Sequence, residues 1–195
     1  MKIKSSDALI VGDVQVDFCP GGALPVNGGD TIIPVINRLQ PLFEHKFFIR
    51  DWHPADHMSF SQHPRFVDRS WPSHCVADTP GAQFHPDLNV PDHARIVNKG
   101  THSDREAYSA FSGTDLAVQL RRRGVNRVFL TGLATDYCVK NTALDARREG
   151  FETVLVEDAV KGIDIPPGTV ESAVETMQDA GVEVVKSGDL NEQES

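Results

Sequence analysis

Short runs of β-branched and aromatic residues recur along the chain, at 8–12 (ALIVG), 46–49 (KFFI), 95–97 (RIV), 127–131 (RVFLT), 153–156 (TVLV) and 183–185 (EVV). Runs this short, and apolar on both faces, predict strands buried in a parallel sheet. Helical spacing fills the intervals between them. Segment 30–43 carries Ile32, Ile33, Val35, Ile36, Leu39 and Phe43 as one stripe, with Asp30 or Thr31 as its start signal. Pro34 is tolerated there because it falls near the first turn. Further helices are predicted at 115–123, 135–149 and 169–179, with Gly124, Gly150 and Gly181 as stop signals. The alternation predicts a three-layer α/β/α fold around a six-stranded, mostly parallel, Rossmann-like sheet.

Segment 51–92 breaks this rhythm: it is rich in Pro, His, Asp and Ser and too long for an ordinary connection. Trp52, Trp71, Cys75 and several Phe oppose disorder, so an ordered functional insertion is expected, with a metal as one way of ordering it. At the other extreme, 188–195 reads as a loose end.

With 195 residues and 39% hydrophobic content, the chain is expected to form one domain spanning 1–195. A formal net charge of −9 with scattered Lys and Arg opposes nucleic acid or an anionic membrane as partner. No apolar run approaches the roughly 20 residues of a membrane span, and 1–7 lacks a signal-type apolar region, so a cytoplasmic protein is expected. Three cysteines, Cys19, Cys75 and Cys138, fit a reducing compartment better than a disulfide framework, and at least one thiol needs a role.

In open parallel sheets, ligands sit beyond the carboxyl ends of the strands. Asp13, Asp51 and Lys99 follow the first three strands and Cys138 opens the helix after the fourth. A thiol near a helix N-terminus is expected to favour its thiolate, although Cys138 alone is also read as a small buried hydrophobe. Lys99 alone could snorkel to water, and Asp13 could be a turn or cap residue. Together, Asp13 as base, Lys99 as cation and Cys138 as nucleophile make the arrangement that acyl transfer needs. Asp51, His53, His57 and His74 form a second set, one carboxylate and three imidazoles suited to zinc, iron(II) or manganese. The alternative is a solvated His-rich loop, since histidines also occur at 45, 63, 85, 93 and 102.

The segments DVQVDFCPGGALPV, RDWHPADH, SWPSHC, NKG and GLATDYCVKNTALDA, in order from about 8 to 185, resemble the nicotinamidase (pyrazinamidase) family of isochorismatase-like hydrolases. The resemblance implies a catalytic triad of Asp13, Lys99 and Cys138. It also implies one divalent metal per chain on Asp51, His53, His57 and His74. A cis Leu133-Ala134 bond is implied, with an oxyanion hole built from the N–H groups of Ala134 and Cys138, and a ring pocket lined by Phe18, Leu24, Trp71 and Tyr108. The implied reaction is hydrolysis of nicotinamide, and of pyrazinamide, through a cysteine thioester in NAD salvage. The partner is then a small molecule, with homo-oligomerisation left open. A related carboxamide or ureido hydrolase, or a non-catalytic metal-binding domain, is the alternative. Gln15 and Asp17 are expected to serve as structural hydrogen-bonding residues, and the polar, charged segment 101–106 departs from the family pattern.

Overall fold

The computed structural model describes residues 1–191. Six strands form one sheet: β1 (Asp7–Gly12), β2 (His45–Asp51), β3 (Arg95–Lys99), β4 (Arg127–Leu133), β5 (Glu152–Lys161) and β6 (Glu183–Val185). Every neighbouring pair runs parallel, in the order β3-β2-β1-β4-β5-β6. The six predicted strands are all present. β5 runs five residues beyond its apolar stretch because, past the exposed pair Glu157 and Asp158, it pairs again with β4 after a register shift.

Alternation along the central strands sorts side chains into two cores. Leu9 and Val11 pack with Phe48, Phe129, Ile33 and Ile36 on one face, while Ala8 and Ile10 pack with Phe47, Ile49, Val128 and Leu130 on the other. Each large side chain so buried contributes roughly 1.5–3 kcal/mol. Helix α1 (Ile33–Leu39) covers the first face; α2 (Leu116–Arg122), α3 (Lys140–Arg148) and α4 (Thr169–Asp179) contribute Leu116, Leu120, Ala143, Ala146 and Met177 to the second.

Two predicted helices change form. The segment expected as one helix at 30–43 is α1 flanked by 3-10 turns at Gly29–Ile32 and Gln40–Leu42. Pro34 sits in the first turn as expected. Gln40 keeps helical geometry and donates to the Ile36 carbonyl, but Pro41 has no N–H to carry the ladder on, so the α-helical part stops at Leu39 and a 3-10 turn follows. The segment 135–149 starts with a π-type turn over Thr135–Val139, closed by Val139 N–H donating to the Ala134 carbonyl, before α3 begins.

The insertion is ordered by bonds to its own chain. His53 pairs with Val76 through the flanking bonds His53 N to Cys75 O (3.0 Å) and Ala77 N to His53 O (2.8 Å), and Trp71 joins Ser59 and Ser61 in the same way. The expected loose end is docked as far as it is described: Asn191 exchanges backbone bonds with Met1 and Ile3. Residues 192–195 of that segment lie outside the described residues. Among the described residues, no helix is long and apolar enough to cross a membrane.

The order reverses between β1 and β4, where chain connections diverge to opposite sides and leave a crevice at the carboxyl ends. Gly12 and Gly132 face each other there. Gly132 has φ +112°, and a Cβ on it would collide with the Gly12 backbone, so the two strands meet here only because Gly132 lacks a side chain.

Candidate active site

Four strand ends deliver their residues to that crevice. Asp13 follows β1 with φ +54°, its N–H donating to Ile49 O, while Asp51 and Lys99 end β2 and β3. All three are buried, as is Cys138 in the π-type turn after β4. The Lys99 ammonium is the centre of the group: its Nζ lies 2.6 Å from Asp51 Oδ1, 3.2 Å from Asp13 Oδ2 and 3.4 Å from Cys138 Sγ. Burial disfavours its charge, but Asp13 and Asp51 outweigh burial and hold Lys99 well above the ordinary lysine value.

The two carboxylates share this cation unequally. Burial would raise Asp51, yet Lys99 at the shorter distance, with His53, takes it below the carboxylate range. Asp13, farther from the ammonium, is raised by burial to about 6 despite Lys99, with the charge of Asp51 adding to the rise. Its Oδ1 is buried without a hydrogen-bond partner. Such an oxygen is an acceptor waiting for a proton.

The expected thiolate is corrected. Burial pushes Cys138 well above the ordinary thiol value, and Lys99 only partly offsets it. The resting group is therefore the thiol. Ligand-type atoms of Asp13, Asp51 and Cys138 lie within 4.8 Å of one another, but the Lys99 ammonium already neutralises that cluster.

A second cluster joins Asp51, His53 and His74, also within 4.8 Å. Nδ1 of His53 pairs with Gly100 O at 2.9 Å and Nδ1 of His74 with Pro72 O at 2.8 Å. With Nδ1–H donating in both rings, the neutral form of each imidazole offers Nε2 as a lone-pair ligand. His53 Nε2 lies 3.5 Å from Asp51 Oδ2, and against burial that carboxylate raises His53 above its ordinary value, so an ion binding there displaces a proton. Burial lowers His74 to about 4, so it is neutral at physiological pH. Three residues therefore fit a divalent ion. Gly100, with φ +64°, is required by this packing, because a Cβ there would strike the His53 ring.

His57 stands apart. Its ring centroid lies 4.1 Å from that of His53 with the planes tilted by 33°, but Nδ1 pairs with Ser59 Oγ at 2.7 Å and Nε2 with Arg105 O at 3.1 Å. To ligate beside the other three it must exchange one of those contacts. The departing segment 101–106 explains this, since it wraps this side of the cluster and also takes Met58 N–H on Ser103 O.

Next to both clusters lies a narrow pocket bordered by Phe18, Leu24, Trp71 and Tyr108, with Ala134, Cys138, His74 and Asp51 also lining it. Sequence reading missed three of its walls, Val26, Tyr137 and Ile163. The Leu133-Ala134 peptide is cis. Gln15 clamps Asp51 through two bonds, Nε2 to Asp51 O and Asp51 N to Oε1, each 2.8 Å. Asp17 accepts Cys75 N–H at 2.7 Å and so seats the turn after His74. A residue missed entirely is Asp136: its carboxylate accepts from Ile163 N, Asp164 N and Thr169 Oγ1, tying the nucleophile turn to the start of α4. Its position inside TDYC was the only local signal.

Comparison with known proteins agrees with this geometry. The family profile described as Isochorismatase domain matches residues 7–189. A nicotinamidase of Acinetobacter baylyi is 39% identical over 97% of this chain and 97% of its own length. A pyrazinamidase of Pyrococcus horikoshii, solved in complex with zinc, is 48% identical over 93% of this chain and 99% of that one, with TM-score 0.82. A protein of L. infantum solved with nicotinate is 37% identical over 99% of both chains, with TM-score 0.91.

Proposed function

The chain belongs to the nicotinamidase family of isochorismatase-like hydrolases, and from that membership we propose that it hydrolyses nicotinamide to nicotinate and ammonia with Cys138 as nucleophile. The observation that carries the mechanism is the buried Asp13, Lys99 and Cys138 trio, with the orphaned Asp13 Oδ1, at the edge of a narrow slot walled by aromatic side chains.

The thiol of Cys138 attacks the carboxamide carbon while Asp13 accepts its proton. Lys99 lowers the cost of negative charge passing through the sulfur, and the N–H groups of Ala134 and Cys138 serve the oxyanion. Asp13 hands the proton to the amide nitrogen, the C–N bond breaks and ammonia leaves a nicotinoyl thioester. Water then gives one proton to Asp13 as it adds to the thioester carbon; the C–S bond breaks, the sulfur regains that proton, and nicotinic acid departs, losing its carboxyl proton to solvent as nicotinate.

Asp51, His53 and His74 would hold one divalent ion, zinc, iron(II) or manganese, with His57 joining only on release of its present contacts. When bound, the ion supplies a Lewis acid beside the ring pocket. Pyrazinamide, which replaces one ring CH by nitrogen, fits the same slot and is proposed as a second substrate. The test is ammonia release over a panel of aromatic, aliphatic and ureido amides, with metal content measured on the same preparation. Turnover of ureido or aliphatic amides in preference to nicotinamide would overturn the assignment.

A further inference from the structure

Tyr108 and Tyr137 border the ring pocket on one side and a wider outer groove on the other, and Asp68 belongs to that groove. One chain of hydrogen bonds crosses this wall. Trp71 Nε1–H donates to the Tyr108 hydroxyl at 3.0 Å, and that hydroxyl donates to Asp68 Oδ1 at 2.6 Å. The directions are forced, because an indole N–H can only donate and a carboxylate can only accept. The hydroxyl proton of Tyr108 is thus committed outward, away from the substrate slot. The rings are held with it: Tyr108 lies 5.6 Å from Tyr137, whose edge meets Trp71 at 5.2 Å.

We propose that Asp68 is a positioning residue for the substrate ring: from outside the pocket it holds Tyr108, and through Tyr108 it holds Trp71, so that the wall facing the ligand is a fixed aromatic surface. The proposal rests on the nicotinamide reading. Aromatic walls favour offset or edge-on contact with a flat ring, and that preference requires fixed orientation. A Tyr108 released from Asp68 could rotate its hydroxyl into the slot and present a polar group where the ring has none. Burial, reinforced by the bond to Asp68, raises the phenol above its ordinary 10.0, so Tyr108 stays a donor across the working range.

Asp68 is itself exposed, which makes the test clean, since surface substitutions rarely disturb folding. Ammonia release from nicotinamide is measured for wild type, Asp68→Ala, Asp68→Asn, Tyr108→Phe and the Asp68→Ala/Tyr108→Phe pair. Emission of Trp71 is followed in a Trp52→Phe version of each, which leaves Trp71 as the sole tryptophan. Asp68→Ala is expected to raise KM roughly two- to tenfold, the worth of one net hydrogen bond, with a smaller change in kcat and a shifted Trp71 emission. Asp68→Asn, which keeps an acceptor oxygen, is expected to recover most of both. With Tyr108→Phe already present, Asp68→Ala is expected to add nothing. An unchanged KM in Asp68→Ala, or an equal change in both backgrounds, overturns the proposal. Absence of ammonia release by wild type would count against the reaction instead; the emission comparison then decides alone, and additive shifts overturn the proposal.

Discussion

The ammonium of Lys99 lies 3.4 Å from the sulfur of Cys138, and burial nonetheless keeps that sulfur a thiol. The cation does not pre-ionise the nucleophile; it is poised for charge that appears only during attack, where interaction with the transition state alone accelerates the reaction. Removing Lys99 also strands two buried carboxylates, Asp13 and Asp51. Lys99→Ala is therefore expected to lower kcat by about 10²-fold or more and to reduce thermal stability, since breaking a buried pair costs about 3–5 kcal/mol. Near-normal turnover would remove Lys99 from the mechanism.

Thiol selectivity should follow access rather than acidity. All three cysteines are raised by burial, but Cys138 borders the ring cavity, whereas Cys19 and Cys75 are enclosed in the core. Brief treatment with limiting iodoacetamide is expected to modify Cys138 first, in step with activity loss and slowed by nicotinamide. The rate is expected to keep rising as pH passes the ordinary thiol value of 9.0. Label accumulating on Cys19 or Cys75 in step with inactivation would contradict the nucleophile assignment.

Asp13 links activity to stability in opposite senses. As a base it must be ionised, so kcat/KM is expected to fall below an apparent pKa near 6. A carboxyl raised from 3.8 to about 6 on folding binds its proton more tightly in the folded state. The stability it contributes is complete below 3.8 and is lost as pH rises through 6. Asp13→Asn is expected to abolish turnover at pH 7.5 without lowering the melting temperature. A clear drop in melting temperature would show that its pairing with Lys99 outweighs its burial.

Metal content should rank the four proposed ligands. Asp51→Ala and His53→Ala are expected to lose the ion, and His74→Ala likewise, because these three already converge. His57→Ala is expected to retain more of it, since His57 is held on Ser59 and Arg105 O. Metal analysis after dialysis against a weak chelator checks the order. Equal loss in all four variants would mean that His57 turns into the cluster on binding, and a metal-free, fully active wild type would rule the assignment out.

Much of this protein is local information. The six apolar runs declared their strands, and their alternation decided which face each side chain joins, because a strand's sidedness has a period of two residues. Once the strands are parallel, residues at their carboxyl ends must meet, so the sequence alone groups Asp13, Asp51, Lys99 and Cys138. The shortening of α1 follows from the missing N–H of Pro41, a signal the sequence contains but the reading of 30–43 as one helix passed over.

Other features belong to the assembled structure. Asp136 matters through Ile163, Asp164 and Thr169, partners about 30 residues away that no spacing rule connects to it. His57 looked like a fourth ligand by type and spacing, but a carbonyl 48 residues away occupies its Nε2. The protonation of Cys138 is a contest between burial and a neighbouring ammonium, and the sequence contains neither the depth of the sulfur nor its distance from Lys99. Residue types and strand ends determined which groups would meet; only packing decided their distances and desolvation, and electrostatic energies depend on both.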